Sequence, residues 1–245
     1  MKNILLVAAE NSAENYALQV VEAFRARDEE VSFFGVGGAR LAARGMDVVV
    51  PVAQVSVVGI FELLGHLRVI SRGMDRLVRE AERRPACAAL LIDFPDFNLR
   101  LAGRLRRLRI PIYHYIAPTV WAWRYGRVHT LRRRIDHEFL IFPFEVPIFT
   151  RERIPFTYVG HPLLPGIRRV GSPESFRQRE GLDPDERVVA LLPGSRSGEV
   201  ESLLPVFLRA LDRLPSSLRL RPYLVRAHSI DPARIEALLA GREVR

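Results

Sequence analysis

The sequence predicts an α/β protein built on a doubly wound parallel sheet, and three observations carry that expectation. Short apolar runs alternate with longer amphipathic stretches along the whole 245 residues. The runs are apolar throughout rather than at every second position, the mark of strands buried on both faces. Polar segments bearing glycine, proline and carboxylates follow several of those strands, where helices start and where such sheets bind ligands.

Strands are expected at 3–8 (NILLVA), 31–36 (VSFFGV), 46–50 and 88–92, then at 112–116, 137–142, 157–160, 187–192 and 218–225. The clearest helix covers 98–109, with Leu101, Leu105 and Leu108 on one face. Arg100, Arg104 and Arg107 follow the same spacing one step behind and read as a solvated face. Strand–helix alternation of this kind wraps a parallel sheet in helices on both sides. The proline- and glycine-rich stretch 162–174 (PLLPGIRRVGSPE) reads as a linker, dividing the chain into domains 1–164 and 165–245. Beyond Glu199 only one helix, one strand and a terminal helix at 231–240 are expected.

Hydrophobic residues at 48% and charged residues at 27% suit a globular protein. The formal charge is +9, and because Lys2 is the single lysine, nearly all of the positive charge is arginine. Arginine forks suit a nucleotide, a phosphorylated lipid, an anionic membrane surface or nucleic acid; base composition alone also produces such a bias. Nucleic acid ranks last, since the arginines scatter over many helices without interleaved stacking aromatics. The single cysteine, Cys87, sits in an apolar run read as a buried strand, and forms no internal disulfide, which fits a reducing, cytoplasmic setting. No cysteine–histidine spacing suggests a structural metal. The apolar run 4–9 is too short for a signal-peptide core. No stretch of roughly 18 apolar residues predicts a membrane-spanning helix, so a soluble or surface-bound protein is expected.

Three loops at strand ends draw attention. In the first, Glu10, Asn11 and Ser12 line the expected cleft, unless Ser12 merely caps the next helix. Neither a dinucleotide nor a phosphate-loop glycine motif is present there; Gly35, Gly37 and Gly38 follow the second strand instead, as a turn or a point of close approach. The second loop carries Asp93, Pro95, Asp96 and Asn98. Asp96 or Asn98 is a natural helix cap, whereas Asp93, at the strand end, is placed to act as a general base or to orient a sugar. Downstream, Tyr113 and Trp121 read as core, His114 as a satisfied core histidine, and Arg124 and Arg127 as phosphate-facing. The third loop, with Gly194, Ser195, Arg196, Gly198 and Glu199, opens a helix whose N-terminus favours an anion; the plain alternative is a turn capped by serine. The apolar stretch 55–67 (VSVVGIFELLGHL) is either a buried helix or an exposed patch for an acyl chain or membrane.

The set VVGIFELLGHLR, LLIDFPDFNLRLA, YHYIAPTVWAWRYGRV, FLIFPFEVPIF, VGHPL and LLPGSRSGEVE, in this order and spacing, resembles the lipid A disaccharide synthase family. The resemblance implies a two-domain fold of the GT-B type, here a Rossmann-type domain followed by an incomplete second one, and an inverting, metal-free and cofactor-free glycosyltransferase. Such an enzyme moves a diacylglucosamine from UDP-diacylglucosamine onto diacylglucosamine 1-phosphate, at the cytoplasmic face of the bacterial inner membrane. It further implies Asp93 as the catalytic carboxylate. Substrate contacts are expected from Glu10, Asn11, Ser12, Asn98, Gly194, Ser195, Arg196 and Glu199, and acyl-chain or membrane contacts from Val57, Val58, Ile60, Phe61, Leu63 and Leu64. Two departures stand out. The family's first loop reads G-E-x-S-G-D, where this chain has alanine at Ala9 and Ala13 and the longer acid Glu14. Alanine at a left-handed glycine position costs about 1 kcal/mol. Family chains also run well past residue 245, which raises a contrary expectation: a non-catalytic module that docks on an anionic membrane, a partner chain or a second copy of itself.

Overall fold

The structure, a computed structural model, describes residues 2–27, 30–55, 63–168, 170–242 and 244, with Asn11 and residues 63–67 described in backbone alone. The chain divides into two compact units, Met1–Ile167 and Arg168–Arg245.

In the first unit seven strands form one parallel sheet: β1 (Lys2–Ala8), β2 (Val31–Gly37), β3 (Asp47–Pro51), β4 (Ala86–Ile92), β5 (Ile112–Tyr115), β6 (His137–Leu140) and β7 (Phe156–Tyr158). Their order is β3-β2-β1-β4-β5-β6-β7. The chain runs outward from β1 to β3, then returns past β1 to β4 and runs outward the other way, so the switch point lies between β1 and β4. Helices α1 (Asn11–Arg25) and α2 (Ala39–Ala42) serve the first half, and α3 (Leu63–Arg83), α4 (Pro95–Leu105), α5 (Arg127–Arg134) and α6 (Val146–Arg151) the second. The apolar runs feed two cores at once. Ile4, Leu6 and Ala8 pack with Ala13, Ala17 and Val21 of α1, whereas Leu5 and Val7 pack on the opposite side with residues of α3, α4, α5 and α6. A strand with a core on each side needs apolar residues at every position, and each fully buried leucine stabilises the fold by about 1.5–3 kcal/mol.

Four expectations need correction. The helix read at 98–109 begins earlier, at Pro95, and ends at Leu105 with a single 3-10 turn beyond it. Proline fits the first helical position because the N–H it lacks has no partner there. Cys87 is exposed: the β1–β4 register slips between Asn3 and Ile4, pairing them with Ala86 and Ala88 and leaving Cys87 as the extra residue. Tyr113 and Trp121 are exposed rather than core, at 36% and 47%. Helices α3 to α6 all share one face of the sheet; the other face is covered by α1 over its central strands, and on β5 Tyr113 stacks on Phe139 at 6.1 Å. There Tyr113, Tyr115, Phe139 and Val159 line an apolar cavity of about 420 Å³.

The second unit has two parallel strands, β8 (Arg187–Leu191) and β9 (Leu220–Leu224), with α7 (Pro173–Glu180), α8 (Ser197–Asp212) and α9 (Pro232–Leu239). Leu191, Val200, Leu204, Leu208, Ile230 and Ile235 make its core. No helix among the described residues is long and apolar enough to cross a membrane.

Candidate active site

In the first unit the site is built where the carboxyl ends of β1, β4 and β5 meet. Ala8 is registered with Ile92 and Ile92 with Tyr115, so the loops that follow leave the sheet side by side. After β1, Glu10 is the N-cap of α1 in extended conformation, with no side-chain capping bond, and Ser12 lies exposed in the first turn. Ser12 therefore does not cap the helix, because α1 starts one residue before it. Ala9 and Ala13 are fully buried, and neither has a positive φ. Alanine in place of the family's glycines is thus accommodated without backbone strain.

Glu14, the lengthened acid, is 5% exposed and turned to the neighbouring loop. It accepts the N–H of Gly38 at 3.1 Å and of Leu41 at 3.3 Å, and pairs with Arg40 at 3.0 Å. The carboxylate caps α2, and a Cβ at Gly38 would come within 2.6 Å of it. That close approach accounts for the glycine at position 38.

After β4 the backbone turns through two consecutive left-handed residues, Asp93 (φ 51) and Phe94 (φ 44), and β5 is followed by a third, Ile116 (φ 71). Non-glycine residues seldom hold this conformation, least of all a β-branched one, and such strain concentrates at functional sites. The Asp93 N–H is fixed to Tyr115 O at 2.8 Å. Its half-buried carboxylate accepts no hydrogen bond among the described residues. On α1, burial raises the pKa of Tyr16 and the Asp93 charge raises it further. Tyr16 stands edge-on to Tyr115, with ring centroids 6.2 Å apart. Sequence reasoning missed Tyr16; its one signal is a position one helical turn after Ser12.

Neither Asp96 nor Asn98 caps α4, whose N-cap is Phe94 with no side-chain bond. Asn98 is fully buried and donates to Ile92 O at 3.2 Å and Asp93 O at 2.5 Å. His114 is the satisfied core histidine expected, fully buried against Glu138 at 3.0 Å. Burial pulls its pKa down, but the Glu138 charge and hydrogen bond, with the Asp93 carbonyl, raise it on balance. Glu145, 1% exposed, is pushed up to about 7, chiefly by burial and further by Glu138, against the N–H of Phe142. Arg127 and Arg124 are engaged by Asp96, at 2.6 and 3.5 Å, and lie over the Trp123 ring.

In the second unit Gly194 (φ 121) turns the chain from β8 into α8. The helix N-cap is Arg196 rather than a serine, with no side-chain cap of its own. Glu199 reaches back instead, accepting the N–H of Ser195 at 3.1 Å and of Arg196 at 3.2 Å and the Arg196 guanidinium at 3.0 Å. These bonds, the guanidinium first, hold its pKa below the usual carboxylate range. The loop has thus assembled donors around a carboxylate of the chain itself. Of the expected acyl-contact residues, Val57, Val58, Ile60 and Phe61 lie outside the described residues, and Leu63 and Leu64 open α3 with backbone alone described.

These features define a GT-B-like α/β protein whose first unit brings the loops after β1, β4 and β5 together at the switch point and whose second unit turns through Gly194 into α8. The chain belongs to the lipid-A-disaccharide synthetase family, whose model matches residues 4–242. The lipid-A-disaccharide synthase of Myxococcus xanthus (strain DK1622) is 42% identical over 211 residues, covering 86% of this chain and 55% of the relative. That of Geobacter metallireducens (strain ATCC 53774 / DSM 7210 / GS-15) is 37% identical over 244 residues, 98% of this chain and 63% of the relative. The chain therefore spans between about half and two thirds of the length of these relatives. Among solved structures, the S. aureus MnaA–UDP co-structure matches with a TM-score of 0.63 at 11% identity, covering all of this chain and 68% of that one. The UDP-GlcNAc 2-epimerase from Neisseria meningitidis bound to UDP-GlcNAc matches with a TM-score of 0.59 at 11% identity, covering all of this chain and 71% of that one. These two likenesses concern the fold.

Proposed function

We propose that this chain acts as an inverting glycosyltransferase of lipid A assembly, moving 2,3-diacylglucosamine from its UDP carrier to 2,3-diacylglucosamine 1-phosphate. The observation that carries the reading is Asp93: a carboxylate without a hydrogen-bonding partner among the described residues, on a strained turn at the β1–β4 switch point, in a chain of this family. In this reading Asp93 takes the proton of the acceptor hydroxyl as its oxygen attacks the anomeric carbon from the side opposite UDP. The bond from that carbon to the diphosphate oxygen breaks, the configuration inverts, and UDP departs with the electron pair. Arg196 and the N–H groups of Ser195 and Arg196 stabilise the charge on the departing diphosphate, Gly194 giving the backbone its approach. Glu199 holds this loop in shape until the diphosphate replaces it. Glu10, Asn11, Ser12 and Asn98 belong to the acceptor side, Asn98 through the backbone it holds. Val57, Val58, Ile60, Phe61, Leu63 and Leu64 meet acyl chains or the cytoplasmic surface of the inner membrane. The likeness in fold to UDP-bound proteins supports a UDP-sugar as donor.

Incubating the protein with UDP-diacylglucosamine and diacylglucosamine 1-phosphate and following both products by mass spectrometry tests the reading. Disaccharide and UDP should appear in equal amounts, and only with both substrates present. UDP release without acceptor, or an epimerised sugar nucleotide, would replace it with hydrolysis or epimerisation.

A further inference from the structure

The buried polar chain behind Asp93 is larger than a core histidine requires. His114 faces Leu91 across β4–β5, and Glu138 faces His114 across β5–β6, so the two side chains lie one strand apart. Both are fully buried. His114 Nδ1 lies 3.0 Å from Glu138 Oε2, and His114 Nε2 lies 3.3 Å from the main-chain oxygen of Asp93. A carbonyl oxygen only accepts, so Nε2 carries a proton. Nδ1 and Glu138 Oε2 then hold one further proton between them, whichever atom it sits on. From the other side Asn98 donates to the same Asp93 oxygen and to Ile92 O. Two carbonyls around one amide nitrogen fix the orientation of that side chain.

We propose that His114, backed by Glu138, and Asn98 are positioning residues: by gripping the Asp93 carbonyl from two sides they lock the left-handed Asp93–Phe94 turn and so aim the Asp93 carboxylate at the acceptor. The proposal rests on the reading of Asp93 given above. Burying an imidazole, a carboxyl and an amide is costly unless each is hydrogen-bonded, yet Asn98 Oδ1 and Glu138 Oε1 have no partner among the described residues. Apolar residues would fill the same space without that cost; what they cannot supply is two donors to one carbonyl. The strain of consecutive left-handed residues is the feature those donors oppose. The charged or titratable groups around the imidazole are Glu138 on β6, the Asp93 carboxylate at the end of β4, and Glu145 beyond Glu138.

Two measurements test this, one of them without activity. In ¹⁵N-labelled wild-type protein, the His114 ring should show Nε2 protonated across neutral pH, with slow exchange of that proton. A ring protonated on Nδ1 alone would overturn the proposal. Kinetically, His114→Leu should lower kcat on the order of 10- to 100-fold with KM for UDP-diacylglucosamine unchanged. His114→Gln, which keeps a donor toward the Asp93 carbonyl, should recover most of that loss. In an Asp93→Asn background His114→Leu should have no further effect, because both act through one carboxylate. Multiplying effects would overturn the positioning role while leaving Asp93 in place. An Asp93→Asn variant as active as wild type would instead sink the underlying reading of the site.

Discussion

Glu199 Oε2 accepts the backbone N–H of Ser195 at 3.1 Å, from within the first turn of the helix that Ser195 precedes. The same oxygen takes the N–H of Arg196 at 3.2 Å. A ligand phosphate arriving at this loop meets donors already satisfied by a carboxylate, and the two compete. Replacing Glu199 by glutamine keeps an acceptor but removes the competing charge. Glu199→Gln should therefore bind pyrophosphate several-fold more tightly in calorimetry. Weaker binding would mean that the loop needs the carboxylate to keep its donors in place.

Glu14 makes a different use of the same chemistry. It satisfies two backbone N–H groups at the start of α2, and the N–H of buried Leu41 has no water to turn to. Glu14→Ala should lower stability by about 1–3 kcal/mol, the cost of leaving such a donor unpaired. Urea denaturation followed by circular dichroism measures this, and an unchanged midpoint would contradict the assignment.

Glu145 makes stability depend on pH. Its folded pKa is raised to about 7 from 4.5, so between those values the folded chain keeps a proton that the unfolded chain has released. Its contribution is complete below about pH 4.5 and is lost as pH rises through 7. Between pH 5 and 7.5 the wild type should lose on the order of 1–2 kcal/mol relative to Glu145→Gln, screening allowed for. Parallel urea curves for the two proteins at both pH values would refute it.

The centre of the sheet is legible because β1 and β2 are covered on both faces, and the apolar runs 3–8 and 31–36 announce that directly. Local exceptions are not. Cys87 is exposed through a slip in register, Tyr113 because it lies on β5 outside the cluster that α1 builds over β1, and Asn98 is buried because Pro95 starts the helix early. Asp93 is legible as a candidate because it directly follows an apolar strand. Its supports are hidden for a different reason. His114, Glu138 and Asn98 sit on β5, β6 and α4, and only strand order and register bring them to one carbonyl. Tyr16 meets Tyr115 of β5 through strand order as well, which no local pattern encodes.

The most direct test of the account is the rate of disaccharide formation by Asp93→Asn against wild type, with UDP-diacylglucosamine and diacylglucosamine 1-phosphate both saturating. Removing a general base from the reacting hydroxyl should lower kcat by roughly 10²- to 10⁴-fold while UDP affinity stays within a factor of about two. Equal turnover by the two proteins would contradict the assignment of Asp93, and with it the reading of the β1–β4 crevice as the place where the bond is made.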